Sequence, residues 1–215
     1  MNELMNCIKE KYKKDFQYKC FCDTGILDDR IIAYKAGIGF FGKNNFIINE
    51  KYGSYLFLGH ILTNLNIEPD SPVDNLCGDC RACLDSCESH ALNGEFSCNA
   101  KVCISNLSQK KALSRDEQKL LGRHIYGCDV CQNVCRFNKN AVFTKNDYFK
   151  VKTEDIYICC DDILSMTKED FDIEYKNTAL YWRGYEVIKR NAQIVKNNIF
   201  DYSINEGNNG GKHES

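Results

Sequence analysis

Proline is scarce in this chain, with 2 residues among 215, and neither sign of charge dominates, 28 Lys and Arg standing against 30 Asp and Glu. No stretch approaches the roughly 20 consecutive apolar residues that a transmembrane helix needs. The N-terminus, MNELMNCIKEKYKKDF, lacks the apolar run and small-residue cleavage site of a secretory signal. A net charge of -2 argues against a globally basic nucleic-acid binder. Against these absences stand 12 Phe, 12 Tyr and 43% apolar residues, enough for a core and incompatible with a disordered or collagen-like chain. The 14 cysteines are too many to be incidental. With nothing secretory in view, they point away from a disulfide framework and toward metal-binding thiolates in a reducing cytoplasm.

Charge is unevenly distributed. Net values are +2 over residues 1–60, -6 over 61–100, +5 over 101–140 and -3 thereafter. The basic block after an acidic one is compatible with a local anionic partner.

Periodicity predicts a helix over residues 3–14 and a brief strand over 18–22. Asp28 is expected to cap a helix through Ile31, Ile32 and Tyr34 that Gly37 stops. Strands over 45–49 and 54–63 are expected to form a hairpin around Glu50-Lys51-Tyr52-Gly53. The cysteine-rich segment reads as a second unit, followed by an irregular stretch to about Ile163 and helical patterning through residue 199. The tail NEGNNGGKHES, residues 205–215, has no core-forming residues and is expected to be disordered.

The strongest signal is Cys77-x2-Cys80-x2-Cys83-x3-Cys87 together with Cys128-x2-Cys131-x3-Cys135 and a lone Cys103. This is bacterial ferredoxin spacing, in which three close thiolates hold one cubane and the fourth reaches the other. The crossed logic gives Cys77, Cys80, Cys83 and Cys135 to one [4Fe-4S] cluster and Cys87, Cys103, Cys128 and Cys131 to the second. Glu88 and Arg136 replace the usual proline after each run. Structural zinc is the rival, but zinc sites use well-separated cysteine pairs, whereas three thiolates crowd into seven residues here. Cys7, Cys20, Cys22, Cys98, Cys159 and Cys160 are left over as buried or incidental thiols.

Gly37-Ile38-Gly39-Phe40-Phe41-Gly42 fits the dinucleotide fingerprint, but its context is wrong, since a helix precedes and a hairpin follows where a strand and then a helix are required. The glycines are expected instead to admit close backbone approach to a planar or bulky group.

Asp23-Thr24-Gly25, residues 36–44 (AGIGFFGKN), Gly53-Ser54, both cysteine runs, Cys103-Ile104-Ser105 and residues 126–132 (YGCDVCQ), followed by Trp182-Arg183-Gly184 and Arg190-Asn191-Ala192, together resemble the epoxyqueuosine reductase family. The resemblance implies an α+β protein. Residues 1–70 would be part of an α/β corrinoid-binding domain, 71–145 a ferredoxin-like two-cluster domain, 146–204 a helical, HEAT-like segment, and 205–215 the tail. It implies reduction of epoxyqueuosine to queuosine at the wobble position of tRNA with a GUN anticodon, by cobalamin fed through two [4Fe-4S] clusters. A donor such as flavodoxin or ferredoxin would supply the electrons.

By the same match, Asp23 lies where the family's proton donor does, and its pKa would have to be raised by burial against the corrin or by nearby negative charge. An isolated Asp-Thr-Gly is otherwise a turn or a cap. Asp23, Ile47, Leu58, Ser105, Cys128 and Asp129 resemble cobalamin-contacting positions, and Arg30 and Lys43 resemble contacts to tRNA phosphate. Lys176, Arg183 and Arg190 recur every seven residues and would form a basic stripe on one helix. Family members carry a substantial region ahead of the position of Leu4, so a separate N-terminal polypeptide, a truncated frame, or loss of corrinoid catalysis are the expected alternatives. The last of these would leave a ferredoxin-like electron carrier.

Overall fold

The computed structural model describes residues 1–13, 15–149 and 158–209. The chain forms two compact units. The first comprises Met1–Leu84, Gly94–Ser97 and Gln132–Phe143; the second comprises Asp85–Asn93, Cys98–Cys131 and Thr144–Ser215. The cysteine-rich segment is therefore divided between the units, and the C-terminal helices share a unit with part of it.

The first unit opens with helix α1, Asn2–Tyr12, closed by Lys13 in the left-handed region at φ 49°. Strand β1, Tyr18–Phe21, follows, and then helix α2, Asp29–Lys35. Asp28 caps α2 as its sequence predicts, accepting from the backbone N–H groups of Arg30 and Ile31. Its pKa is lowered. Burial pushes it up, but the Arg30 side chain and the two backbone donors outweigh that push.

The strand pairing differs from expectation. Phe40–Phe41 (β2) pairs antiparallel with Ile47–Ile48 (β3), and His60–Thr63 (β4) pairs antiparallel with β1, from Tyr18 opposite Thr63 to Phe21 opposite His60. The expected hairpin survives only as a bridge between Asn49 and Gly53. Alternation in sequence reports which residues favour extended backbone, not which strand lies alongside. Residues 55–59 have no regular structure, and β4 found its partner 40 or so residues upstream instead.

The glycine-rich segment also has a local explanation. A Cβ on Gly39 would lie 2.4 Å from the Ile48 carbonyl oxygen, and one on Gly42 would lie 2.4 Å from Ile48 Cδ1. The close approach that these glycines permit is to the neighbouring strand of the same sheet. Phe40, Ile48 and Cys77 form the buried core here, with Cys135 and Phe137 packed against them.

The second unit is mostly helical. Ile163, Phe171, Ile188, Ala192 and Val195 make one core with Ile125, and Ile104, Leu107 and Leu121 make another with Ile194. Both cores therefore draw on the last helix, Tyr185–Asn209. The helical patterning expected from about residue 163 is present as four separate helices, Cys160–Ser165, Lys168–Tyr175, Ala179–Arg183 and Tyr185–Asn209, so the single helix expected to carry Lys176, Arg183 and Arg190 is interrupted. Thr167 caps the second of these with a reciprocal Asp170 box, and Gly184 at φ 83° separates the last two. Residues 205–209, expected within a structureless tail, continue the last helix, and the rest of that tail lies outside the described residues. Among the described residues no helix is long and apolar enough to cross a membrane.

Candidate cluster sites and the Asp23 loop

The division into units falls along the crossed cysteine assignment. Cys77, Cys80, Cys83 and Cys135 all lie in the first unit; Cys87, Cys103, Cys128 and Cys131 all lie in the second.

In the first unit the four thiols line one recess together with Lys43, Asn44, Ile48, Arg136 and Phe137. Short helical turns present them. Cys80 N–H donates to Cys77 O at 3.2 Å, and Cys135 N–H donates to Gln132 O at 3.0 Å. Lys43 Nζ donates to Gly78 O at 2.6 Å and Cys80 O at 3.1 Å, pinning the first run from beneath. Arg136 pins its start through Leu76 O. Two of the three Lys43 ammonium donors are thereby engaged within the cysteine site. Burial pushes the Cys83 thiol up, and the neighbouring thiols of Cys77, Cys135 and Cys80 push it further. Cys135 is raised in the same way, chiefly by burial and then by Cys77 and Cys80. Thiols that hinder one another's ionisation in a half-buried recess are ready to be offset by a cationic metal core.

The second set shows the same mutual effect. The Cys128 thiol is raised by burial first, and then by Cys103, Asp129 and Cys87. Asn191, fully buried on the last helix, donates from Nδ2 to Ser108 O and Ile125 O, which flank Cys103 and Cys128 in sequence. Ser108 Oγ accepts from Gly127 N–H at 3.0 Å. The segment after Cys103 and the segment before Cys128 are thus tied to each other and to the last helix.

Among the described residues, no three Cys, His, Asp or Glu side chains converge closely enough for a single metal ion. Four thiols to a set is the donor complement of a [4Fe-4S] cubane, which spreads its sulfurs around a four-iron core. One further observation agrees: the Asn44 side-chain amide is buried in the first recess with no hydrogen-bond partner for Nδ2.

Asp23 is exposed and sits at φ 62° in the left-handed region. The loop is organised by Asp29, which the sequence did not single out. Its Oδ2 accepts from Asp23 N–H at 3.1 Å, and its Oδ1 lies 2.5 Å from His60 Nδ1. His60 is buried, stacks on Phe21 at 5.0 Å, and leaves Nε2 without a partner. Gly25 keeps this space open, since a Cβ there would stand 3.0 Å from His60 Cε1.

Of the other predicted corrinoid contacts, Leu58 is half-buried, and its carbonyl accepts from Cys22 Sγ at 3.3 Å. Ile47 is 3% exposed, belongs to the core and pairs with Phe41 in the sheet. Ser105, Cys128 and Asp129 lie in the second unit. Ile26 and Phe57 are 88% and 83% exposed.

The basic stripe is not one surface. Lys176 follows the helix Lys168–Tyr175, Arg183 ends the next helix, and Arg190 lies on the last. Arg190 donates to Lys111 O at 2.6 Å and to Asn191 Oδ1, and burial lowers its pKa. It is a packing residue of the second unit. Arg183 stacks over Trp182 at 4.1 Å. Arg30 binds Asn45 O and Asp28 at 3.3 Å while keeping partial exposure.

Comparison with known proteins agrees with this geometry. Residues 76–138 match the 4Fe-4S double cluster binding domain. Epoxyqueuosine reductase of Staphylococcus aureus is 37% identical over 194 residues, covering 90% of this chain and 51% of that protein. The structure of epoxyqueuosine reductase from Streptococcus thermophilus superposes with a TM-score of 0.82 at 38% identity, covering 92% of this chain and 52% of that one. A crystal structure of epoxyqueuosine reductase with a tRNA-Tyr epoxyqueuosine-modified stem loop gives 0.83 at 36% identity, covering 90% and 52%. The chain spans about half the length of the relatives it matches.

Proposed function

We propose that this chain, a relative of the epoxyqueuosine reductases over nine tenths of its length, carries the electron-relay and proton-donating portion of an enzyme that reduces epoxyqueuosine to queuosine in tRNA. The observation that carries this reading is the segregation of the eight motif cysteines into two complete sets of four, one in each unit. A two-electron reduction fed by a one-electron donor such as flavodoxin or ferredoxin needs stepwise carriers, and two [4Fe-4S] clusters supply them.

Cobalamin, when bound, supplies the low-potential metal centre that attacks or reduces the epoxide. By their match to the family, Asp23, Ile47, Leu58, Ser105, Cys128 and Asp129 are the positions that would contact it. Asp23 holds the proton that the departing oxygen needs. Its left-handed backbone and the hydrogen bond from its N–H to Asp29 present the carboxyl outward, and His60 fixes Asp29 in turn. Arg30, partly exposed on α2, is a candidate contact to tRNA phosphate. The setting would be a reducing cytoplasm.

The test is anaerobic reconstitution with iron, sulfide and cobalamin, followed by an assay on tRNA bearing epoxyqueuosine. Two clusters with bound corrinoid and turnover support the reading. Two clusters without corrinoid would make the chain an electron carrier, and stoichiometric zinc in place of iron would overturn both. Asp23→Asn is expected to abolish queuosine formation with cluster absorbance intact; undiminished turnover would remove Asp23 from the mechanism.

A further inference from the structure

Asn44 is 2% exposed and lines the recess shared by Cys77, Cys80, Cys83 and Cys135. Its two amide atoms can be told apart by their partners. The Phe46 N–H lies 3.2 Å from Oδ1 and can only donate, so the oxygen must face it. Nδ2 is then left buried with two N–H groups and no acceptor. Gly42 makes room for this placement, because a Cβ there would come within 2.6 Å of Asn44 Oδ1. Lys43 donates to the Gly78 and Cys80 carbonyls, and Asn75 to that of Phe41. Buried donors are rarely left unpaired, and the atoms still to be placed beside this one are the sulfurs of a cluster.

We infer that Asn44 donates from Nδ2 to a sulfur of the cluster held by Cys77, Cys80, Cys83 and Cys135, and thereby raises the potential at which that cluster accepts an electron. The inference rests on the two-cluster reading and adds which residue sets one of the two potentials. Reduction by an external one-electron donor adds one negative charge, spread largely over the sulfurs, with no bond broken and no proton moved. An N–H dipole aimed at sulfur stabilises the reduced form more than the oxidised one, and hydrogen bonds to the sulfurs are among the determinants of cluster potential. The side-chain amide serves two ends at once: its oxygen fixes the turn into β3, and its nitrogen reads the charge on the cluster.

The test is an EPR-monitored redox titration of the full chain, reconstituted anaerobically with iron and sulfide, as wild type, Asn44→Asp and Asn44→Leu. Asn44→Asp keeps the oxygen that Phe46 needs and replaces the donor with a negative charge. Both variants are expected to move one of the two couples to lower potential and to leave the other in place, Asn44→Asp moving it further. Unchanged midpoints at full iron load would overturn the inference. A wild-type chain that takes up no cluster overturns the reading beneath it, and the inference with it.

Wild-type protein carrying 15N only in its asparagine side-chain amides gives an answer that needs no variant to fold. Pulsed EPR of the reduced form should show that nitrogen coupled to a cluster, and its absence counts against Asn44. The amides of Asn75 and Asn138 in the same unit donate elsewhere, to Phe41 O and to Ser54 Oγ and Gln132 O.

Discussion

In the first unit, four thiols share a recess with two cations, Lys43 and Arg136, and one unpartnered amide donor. In the second, the thiol of Cys128 has the Asp129 carboxylate as a neighbour, and the segments beside Cys103 and Cys128 are held by a fully buried Asn191. The ligand residues are alike; what differs is what the fold sets beside them, two cations and an unpartnered amide at the first set and a carboxylate and a buried helix asparagine at the second. The difference teaches that the two sets are told apart by the residues around the cysteines, since the cysteines themselves are alike.

The largest effect that would sharpen this comparison is ligand removal. Cys135→Ala should cost the first unit its cluster and halve the bound iron while leaving the second cluster's EPR signal. Loss of both signals would show that the sets are not independent. Next is Phe171→Ala, which empties a fully buried ring site in the second unit's core and should cost about 3–5 kcal/mol. Urea unfolding should show it, with the second cluster released first.

Asn191→Leu leaves the Ser108 and Ile125 carbonyls without their donor and should cost about 2 kcal/mol, read as earlier release of the second cluster with the first unaffected. The smallest effect belongs to the first unit. Asp28→Ala removes the cap of α2 and should cost about 1 kcal/mol at neutral pH. Because the folded-state pKa of Asp28 is lowered, its contribution is present above the ordinary carboxylate range and is lost as pH falls through the folded value. The gap between wild-type and Asp28→Ala urea midpoints should therefore close on acidification; a constant gap would mean that the charge is not what stabilises the cap.

What was legible in the sequence was what is local or stoichiometric. The Asp28 cap depends on two backbone donors within three residues, so reading it needed no third dimension. The crossed cysteine sets follow from spacing alone, and the two units respect them. What was illegible depends on partners brought together by the fold. Ile47 and Ile48 pair backward with Phe40 and Phe41, and a two-residue strand carries too few side chains to declare a partner. Arg190 looked like a phosphate contact because helical spacing places it on a face, but that face is turned to Lys111 O. Asp29, His60 and Asn44 carried no signal, since each matters through what its side chain meets or fails to meet.

The crossing of the cysteine runs also governs how such a protein is made. As the chain leaves the ribosome, Cys77, Cys80 and Cys83 emerge first, yet the set they belong to waits for Cys135, the last of the eight, while the set that starts later is complete at Cys131. Three unpaired thiols therefore stay open to oxidation for more than fifty residues of synthesis, and the loop that must close on them is the longer one to order. The first set can close on a cluster only once translation has passed residue 135, and a chain stalled between residues 131 and 135 would hold one complete set and three thiols still waiting for a fourth.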